Sequence, residues 1–209
     1  MPSVRPTLLR IAQIEAGEKR GGFGPVDLSE IVARPRDAYA AVAEDSGRTL
    51  RADVQPGLVV QGDRDLLTQL LANLIENAIH HKPPGTAIVL TASTGAAGPI
   101  CVVADNGLGI PEEMHGKVLE RFVRMDRSRS APGNGLGLAL AAAVADLHCA
   151  SLALDDNRPG LRVALAFPPR TGGAAQPLRL SARSAAGAAG MRARRAESRS
   201  FASPARRRR

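Results

Sequence analysis

The chain has 209 residues, 44% of them apolar and only 2% aromatic, and a formal net charge of +8. That length fits one ordinary domain with a proper core and an appendage. The charge suggests a nucleic-acid binder only until it is located: residues 170–209 hold eleven arginines and one glutamate, a net +10, so residues 1–169 carry −2 and the body is nearly neutral.

Residues 7–16 (TLLRIAQIEA) place Leu8, Ile11, Ala12 and Glu15 at helical spacing and stop at Gly17, which reads as the end of a helix. GEKRGGFGP (17–25) reads as a Gly-rich linker. Asp27 or Ser29 is placed to cap a helix running toward Ser46, and Pro35 inside it is expected to kink or split it. Short strands follow near 49–54 and 58–60. The best-defined helix runs from about Asp63 to His81, where Leu66, Leu67, Leu70, Leu71, Leu74, Ile75, Ala78 and Ile79 form a wide apolar stripe suited to packing on a sheet. KPPG (82–85) ends it, and residues 87–93 and 99–105 read as a strand pair. A short helix at 112–119, a polar stretch to Gly135, a helix over 136–148 and closing strands at 151–156 and 161–167 complete the body. Beyond Pro168 the chain has no hydrophobic period and is expected to be disordered.

Cys101 lies in an apolar run and Cys149 in a helix-like one, with no framework spacing, so both read as buried free thiols. No apolar stretch approaches the ~20 residues a membrane span needs. Met1 leads into Pro, Arg and Thr rather than a signal segment, and the expectation is a cytoplasmic chain. Phe201 is the single aromatic of the tail, so specific nucleic-acid recognition there is not expected.

Four local features carry chemistry. Asn73 and Asn77 are four apart on the 63–81 helix, so their amides lie one above the other. They are open to two readings, a solvated polar face or amide oxygens suited to Mg²⁺. Asp105, followed by Asn106-Gly107-Leu108-Gly109, is either a plain turn or a carboxylate at a strand end able to accept a hydrogen bond from an exocyclic amine such as adenine's. Gly133, Gly135 and Gly137 lead into a helix, which gathers backbone N–H donors and the positive dipole end where a phosphate can sit. Between the glycine loops, Arg121, Arg124, Arg127 and Arg129 read either as an exposed basic loop or as a lid over phosphates.

Together these features resemble the ATP-binding catalytic domain of sensor histidine kinases, over about Leu8 to Phe167. NLIENA (73–78) is similar to the family's N box, DNGLGIPEE (105–113) to its first glycine box, VLERFVRMDRSRS (118–130) to its F box and GNGLGLALA (133–141) to its second glycine box. PVDLSEIV (25–32) and IEAG (14–17) resemble the usual start of this domain and the end of a dimerisation hairpin. The resemblance implies an α+β fold, a two-layer α/β sandwich with a mixed sheet under helices. It divides the chain into a hairpin-helix end (1–17), a linker (18–26), the ATP-binding domain (27–169) and the tail (170–209).

It also implies site roles. Asn77 would be the Mg²⁺ ligand, with Asn73 beside the phosphates. Asp105 would hold the adenine amine, flanked by Gly107, Gly109 and Ile110. Arg124 would reach the γ-phosphate as the catalytic cation, and Gly135, Leu136, Gly137 and Leu138 would line the phosphate end. The implied cofactors are ATP and Mg²⁺. The implied partners are a histidine-bearing dimerisation domain, a response regulator and, in a full-length form, a second copy.

Three departures from the pattern matter. His80 and His81 stand where the family commonly has Lys or Arg and then Tyr, and a neutral imidazole is a weaker phosphate partner than a fixed cation. Asn73 occupies the position of the water-activating Glu of gyrase-type relatives and cannot act as a base, so phosphoryl transfer is expected over hydrolysis. None of the four histidines, His80, His81, His115 and His148, lies on a hairpin helix of the phosphoacceptor kind. The expectation is therefore a kinase piece whose acceptor histidine comes from elsewhere, with a non-catalytic nucleotide-binding module as the alternative.

Overall fold

The structure, a computed structural model, describes residues 4–15, 22–81, 83–123 and 135–169. A helix α1 (Val4–Glu15) is followed by strand β1 (Phe23–Asp27), helix α2 (Leu28–Asp45), strands β2 (Thr49–Val54) and β3 (Val59–Asp63), and helix α3 (Arg64–His81). Strands β4 (Ala87–Gly95) and β5 (Gly98–Asp105) come next. Two 3-10 turns follow (Glu112–Met114, Lys117–Leu119), then helix α4 (Gly137–Leu147) and strands β6 (Ser151–Asp156) and β7 (Leu161–Ala166). No described helix is long and apolar enough to cross a membrane.

Five strands form one mixed sheet in the order β2-β4-β5-β7-β6, with β2 and β4 parallel and the other neighbours antiparallel. Alternation along each strand puts Leu90, Val103, Val163 and Leu154 in one cross-strand row, and Ala92, Cys101, Leu165 and Leu152 in the next. These rows meet α2, α3 and α4, which carry Ile31, Leu70, Ile75, Leu140 and Val144 into one core. This is the expected two-layer sandwich of a mixed sheet packed against helices.

Three local expectations are corrected. Residues 23–26, read as part of a linker, belong with Asp27 to β1, which pairs antiparallel with β3 from Phe23↔Asp63 to Asp27↔Val59; its alternation is too short to register among the glycines. Helix α2 runs unbroken through Pro35. The backbone hydrogen bond forgone there is offset by burial of Ile31, Val32 and Pro35 itself against the sheet. Asp27 caps this helix by accepting the Ser29 N–H at 2.8 Å, and Ser29's hydroxyl and N–H hold its carboxyl below the usual value. Cys101 is buried as expected, its thiol pushed up to about 12 by burial. Cys149 is exposed: it follows α4 with φ +53°, a left-handed position that turns its side chain out of the helix stripe.

Helices α3 and α4 are antiparallel and fastened at both ends. At one end His148 Nε2 accepts the Asp63 N–H at 2.9 Å, and Nδ1 donates to the Val144 carbonyl at 2.7 Å. The ring is buried, stacks on Phe23 at 4.7 Å, and occupies space that a side chain at Gly62 would fill. Asp63 itself caps α3 by accepting the N–H groups of Asp65 and Leu66.

Leu70, wholly enclosed on the α3 stripe, is a test of this packing. Leu70→Ala should lower unfolding free energy by about 2–5 kcal/mol in urea denaturation; a loss under ~1 kcal/mol would mean that the stripe does not carry the core. His148 gives a pH signature. Burial lowers its pKa below the ordinary 6.5, against the opposing pull of the Val144 carbonyl and Asp63. The unfolded chain therefore takes up the proton first, so stability is full above pH 6.5 and falls as pH drops from there toward the lowered value. Melting temperature should decline from pH 7.5 to 5.5, and His148→Gln should flatten that decline.

Candidate functional site

Helix α3 sets Asn73 and Asn77 on one face, a turn apart. The apolar stripe makes that affordable: each buried Leu or Ile contributes about 1.5–3 kcal/mol, against at most ~0.7 kcal/mol lost per Asn relative to Ala. The Asn77 amide lies against the start of α4, where a Cβ on Gly137 would stand 3.1 Å from Asn77 Oδ1 and 3.2 Å from Nδ2. Glycine at 137 thus lets the amide approach the helix end. Asn73 Nδ2 is enclosed and has no hydrogen-bond partner among the described residues. One turn earlier, Gln69 Oε1 is enclosed and unpaired in the same way. Sequence reading passed over Gln69, whose only signal is its spacing of four from Asn73.

Helix α4 starts with Leu136 as its N-cap residue, and no side chain caps it. Its first-turn N–H groups and positive dipole end therefore remain available to an anion. Leu136 is buried and anchors the turn, while Leu138 packs partly against the core. Gly135 takes φ +65°, and its carbonyl accepts the Phe122 N–H at 3.0 Å. That bond ties Phe122, next to Arg121 at the start of the arginine-bearing segment, to Gly135 in the second glycine loop.

The second half of the site surrounds Asp105 at the end of β5. Its buried carboxylate accepts the Gly107 N–H at 2.9 Å and the Leu161 N–H at 3.4 Å through Oδ1. The β6–β7 turn braces it from behind: Asn157 Nδ2 donates to the Asp105 carbonyl at 2.8 Å. Gly160, at φ +117°, presses so closely that a Cβ there would stand 1.8 Å from the same oxygen. Gly109, at φ +68°, also packs on this turn, with the Gly160 carbonyl oxygen 2.9 Å from where its Cβ would be. Asn157 and Gly160 lie between the two closing strands, and nothing along the chain marks them as partners of the Asp105 backbone carbonyl more than fifty positions earlier. Ile110 packs partly on the core, and its carbonyl is within 2.9 Å of His115 Nε2. Leu108 projects into solvent at the loop tip.

The residues singled out from sequence thus fall into two halves. Asn73, Asn77 and Gly135–Leu138 gather amide groups and a helix N-terminus; Asp105, Gly107, Gly109 and Ile110 form a braced acidic loop. Helix α3 packs on β5, the strand that delivers Asp105. His80 is exposed on the last turn of α3, and His81 closes that helix. Arg124, with Arg127, Arg129 and Gly133, lies outside the described residues, as does the tail from Arg170.

The donor set also bears on metal binding. Among the described residues no group of three or more His, Cys, Asp or Glu could hold an ion. Two amide oxygens on one helix face fit Mg²⁺, which takes one or two protein oxygens and completes its shell with water and phosphates.

Comparison with known proteins agrees with this fold. Residues 62–171 match the family described as histidine kinase-, DNA gyrase B- and HSP90-like ATPase. The chain is 33% identical over 149 residues to the sensor-like histidine kinase SenX3 of Mycolicibacterium smegmatis, covering 70% of this chain and 39% of that protein. It spans well under half the length of the curated relatives it matches. Among solved structures, the mycobacterial sensor histidine kinase MprB superposes with a TM-score of 0.61 at 30% identity, covering 70% of this chain and 97% of that one. The ATP-binding domain of PrrB from Mycobacterium tuberculosis gives 0.56 at 29% identity, covering 71% and 98%. With its five-stranded mixed sheet, its helix layer and these relatives, the chain belongs to the histidine kinase-, gyrase B- and HSP90-like ATPase family, and is homologous to the catalytic domains of sensor histidine kinases.

Proposed function

We propose that this chain binds Mg-ATP between the α3 amide face and the two glycine loops and donates the γ-phosphoryl group to a histidine on a dimerisation hairpin, for relay to a response regulator. The juxtaposition that carries this reading is the Asn77 amide lying against the uncapped N-terminus of α4 at Gly137. That arrangement offers an oxygen ligand and a set of N–H donors at one point, which suits a metal–phosphate pair.

In this reading Asp105 accepts a hydrogen bond from the adenine amine, and the Asn157–Gly160 turn fixes its backbone so that the carboxylate keeps its direction. Gly109 and Ile110 complete the base side. Gly135, Leu136, Gly137 and Leu138 present backbone N–H groups to the phosphates, and Asn73 lies beside them. His80 and His81 border the phosphate end and add no fixed charge. Asn77 would hold Mg²⁺, with Asn73 as the second amide available. Bound there, Mg²⁺ would supply charge neutralisation to the phosphates. Arg124 would bring a cation to the transferring group. The incoming imidazole's lone pair forms the N–P bond while the bond from Pγ to the bridging oxygen breaks, and ADP leaves. Phosphoryl transfer asks mainly for positioning and charge neutralisation, which these groups supply.

The proposal also assigns the acceptor to a hairpin outside the ATP-binding domain of 27–169. His148 is locked between Asp63 and Val144, and His115 lies beside the Ile110 carbonyl, so neither is offered to a phosphate.

Asp105→Asn should weaken binding of a non-hydrolysable ATP analogue by roughly 1–3 kcal/mol, the range for a lost charge-assisted hydrogen bond, with an unchanged melting curve. Calorimetry showing equal affinity would reduce Asp105 to a turn residue. Incubated alone with labelled ATP, the 209-residue chain should acquire no acid-labile phosphate. Mixed with a dimerisation hairpin from a closely matched kinase, it should label that hairpin only when Mg²⁺ is present, and Arg124→Ala should cut the transfer strongly while sparing nucleotide binding. Robust self-labelling would overturn the assignment of the acceptor.

A further inference from the structure

Gln69, Asn73 and Asn77 occupy successive turns of α3, at positions i, i+4 and i+8, so they share one face of the helix. Asn77 fixes where that face points, because its amide meets Gly137 at the start of α4. Two of the three amides hold enclosed atoms with no partner among the described residues: Gln69 Oε1, an acceptor, and Asn73 Nδ2, a donor. They are complementary, and side chains four apart on a helix have Cβ atoms roughly 5–6 Å from one another, within reach of a Gln–Asn hydrogen bond. Leaving both unpaired costs each its desolvation, whereas pairing them needs only side-chain rotation.

We infer that Gln69 is a positioning residue for the nucleotide site, accepting a hydrogen bond from the Asn73 amide nitrogen and so turning the Asn73 oxygen toward the metal–phosphate side. The inference rests on the Mg-ATP reading above. An Asn amide can present either its oxygen or its nitrogen to a ligand, and the two faces are opposite in sign. Only the oxygen suits a cation, and the nitrogen must then be held elsewhere. The enclosed Asn73 atom is the nitrogen, and the acceptor one turn behind is Gln69 Oε1. The amide row thus has a division of labour: Asn77 meets the helix end, Asn73 is the orientable donor of an oxygen, and Gln69 sets its orientation. Gln69 touches neither nucleotide nor metal.

Three proteins decide this: wild type, Gln69→Leu, which keeps the volume and removes the acceptor, and Gln69→Glu, which restores an acceptor oxygen. ADP binding is titrated calorimetrically in excess Mg²⁺ and again in EDTA. Gln69→Leu should lose about tenfold in affinity with Mg²⁺ and nothing in EDTA, and Gln69→Glu should recover the Mg²⁺-dependent part. An equal loss in both buffers, or no loss in either, would overturn the inference while leaving the nucleotide reading standing. A second readout needs no nucleotide. In ¹⁵N spectra of the free protein the Asn73 side-chain amide signals, assigned with Asn73→Ser, should shift and exchange faster in Gln69→Leu than in wild type and Gln69→Glu. Unchanged Asn73 signals would refute the pairing directly. Wild-type protein that binds no ADP would instead overturn the Mg-ATP reading, with the spectra still deciding whether Gln69 holds Asn73.

Discussion

The α3–α4 seam governs the rest of the molecule. Two antiparallel helices are pinned at opposite ends by quite different contacts: a neutral histidine wedged between the Asp63 N–H and the Val144 carbonyl at one end, and an asparagine amide laid on a glycine at the other. The first contact is purely structural and tolerates no change in protonation without cost. The second leaves the N-terminus of α4 uncapped. Because interiors are close-packed, the helices cannot slide independently between these two points, so the position of the Asn77 amide relative to the α4 N–H groups is inherited from the His148 end.

The Asp105 half is rigid for another reason. The β6–β7 turn is pressed onto the Asp105 carbonyl so closely that only glycine fits at 160, and Asn157 adds a hydrogen bond to the same oxygen. A carboxylate whose backbone is held from behind does not need to be reordered when a ligand arrives, which lowers the entropic cost of recognition. The two halves are therefore preorganised by independent elements, the helix pair and the hairpin turn, which meet through the sheet.

How far this was legible in the sequence follows from the range of each interaction. Helix α3 and strands β4 and β5 were readable because apolar periodicity over eight to eighteen residues is a local signal. The glycine loops and the Asn pair were readable as an ordered set of motifs. Strand β1 was hidden in a glycine-rich stretch, since it exists by pairing with β3 across more than thirty residues. Pro35 was read by its intrinsic effect on a helix, which burial against the sheet overrode. Cys149 was placed by its neighbours' hydrophobicity, while its backbone conformation put it outside. The His148 wedge, the Gly160 brace and the enclosed Gln69 oxygen all depend on contacts between distant residues, or on an absence of partners, and neither leaves a pattern along the chain.

One contact of α3 also equips the molecule for observation. Tyr39 on α2 donates its hydroxyl to Glu76, the residue immediately before Asn77, and burial with this carboxylate raises the phenol's pKa above its ordinary value. It is the only tyrosine in a chain without tryptophan. Near-ultraviolet emission therefore comes essentially from one ring, and a phenol bonded to a carboxylate emits weakly. The protein carries a built-in optical gauge of the α2–α3 contact, dark when the helix that bears the amide row is seated and brighter when it loosens, with no label attached.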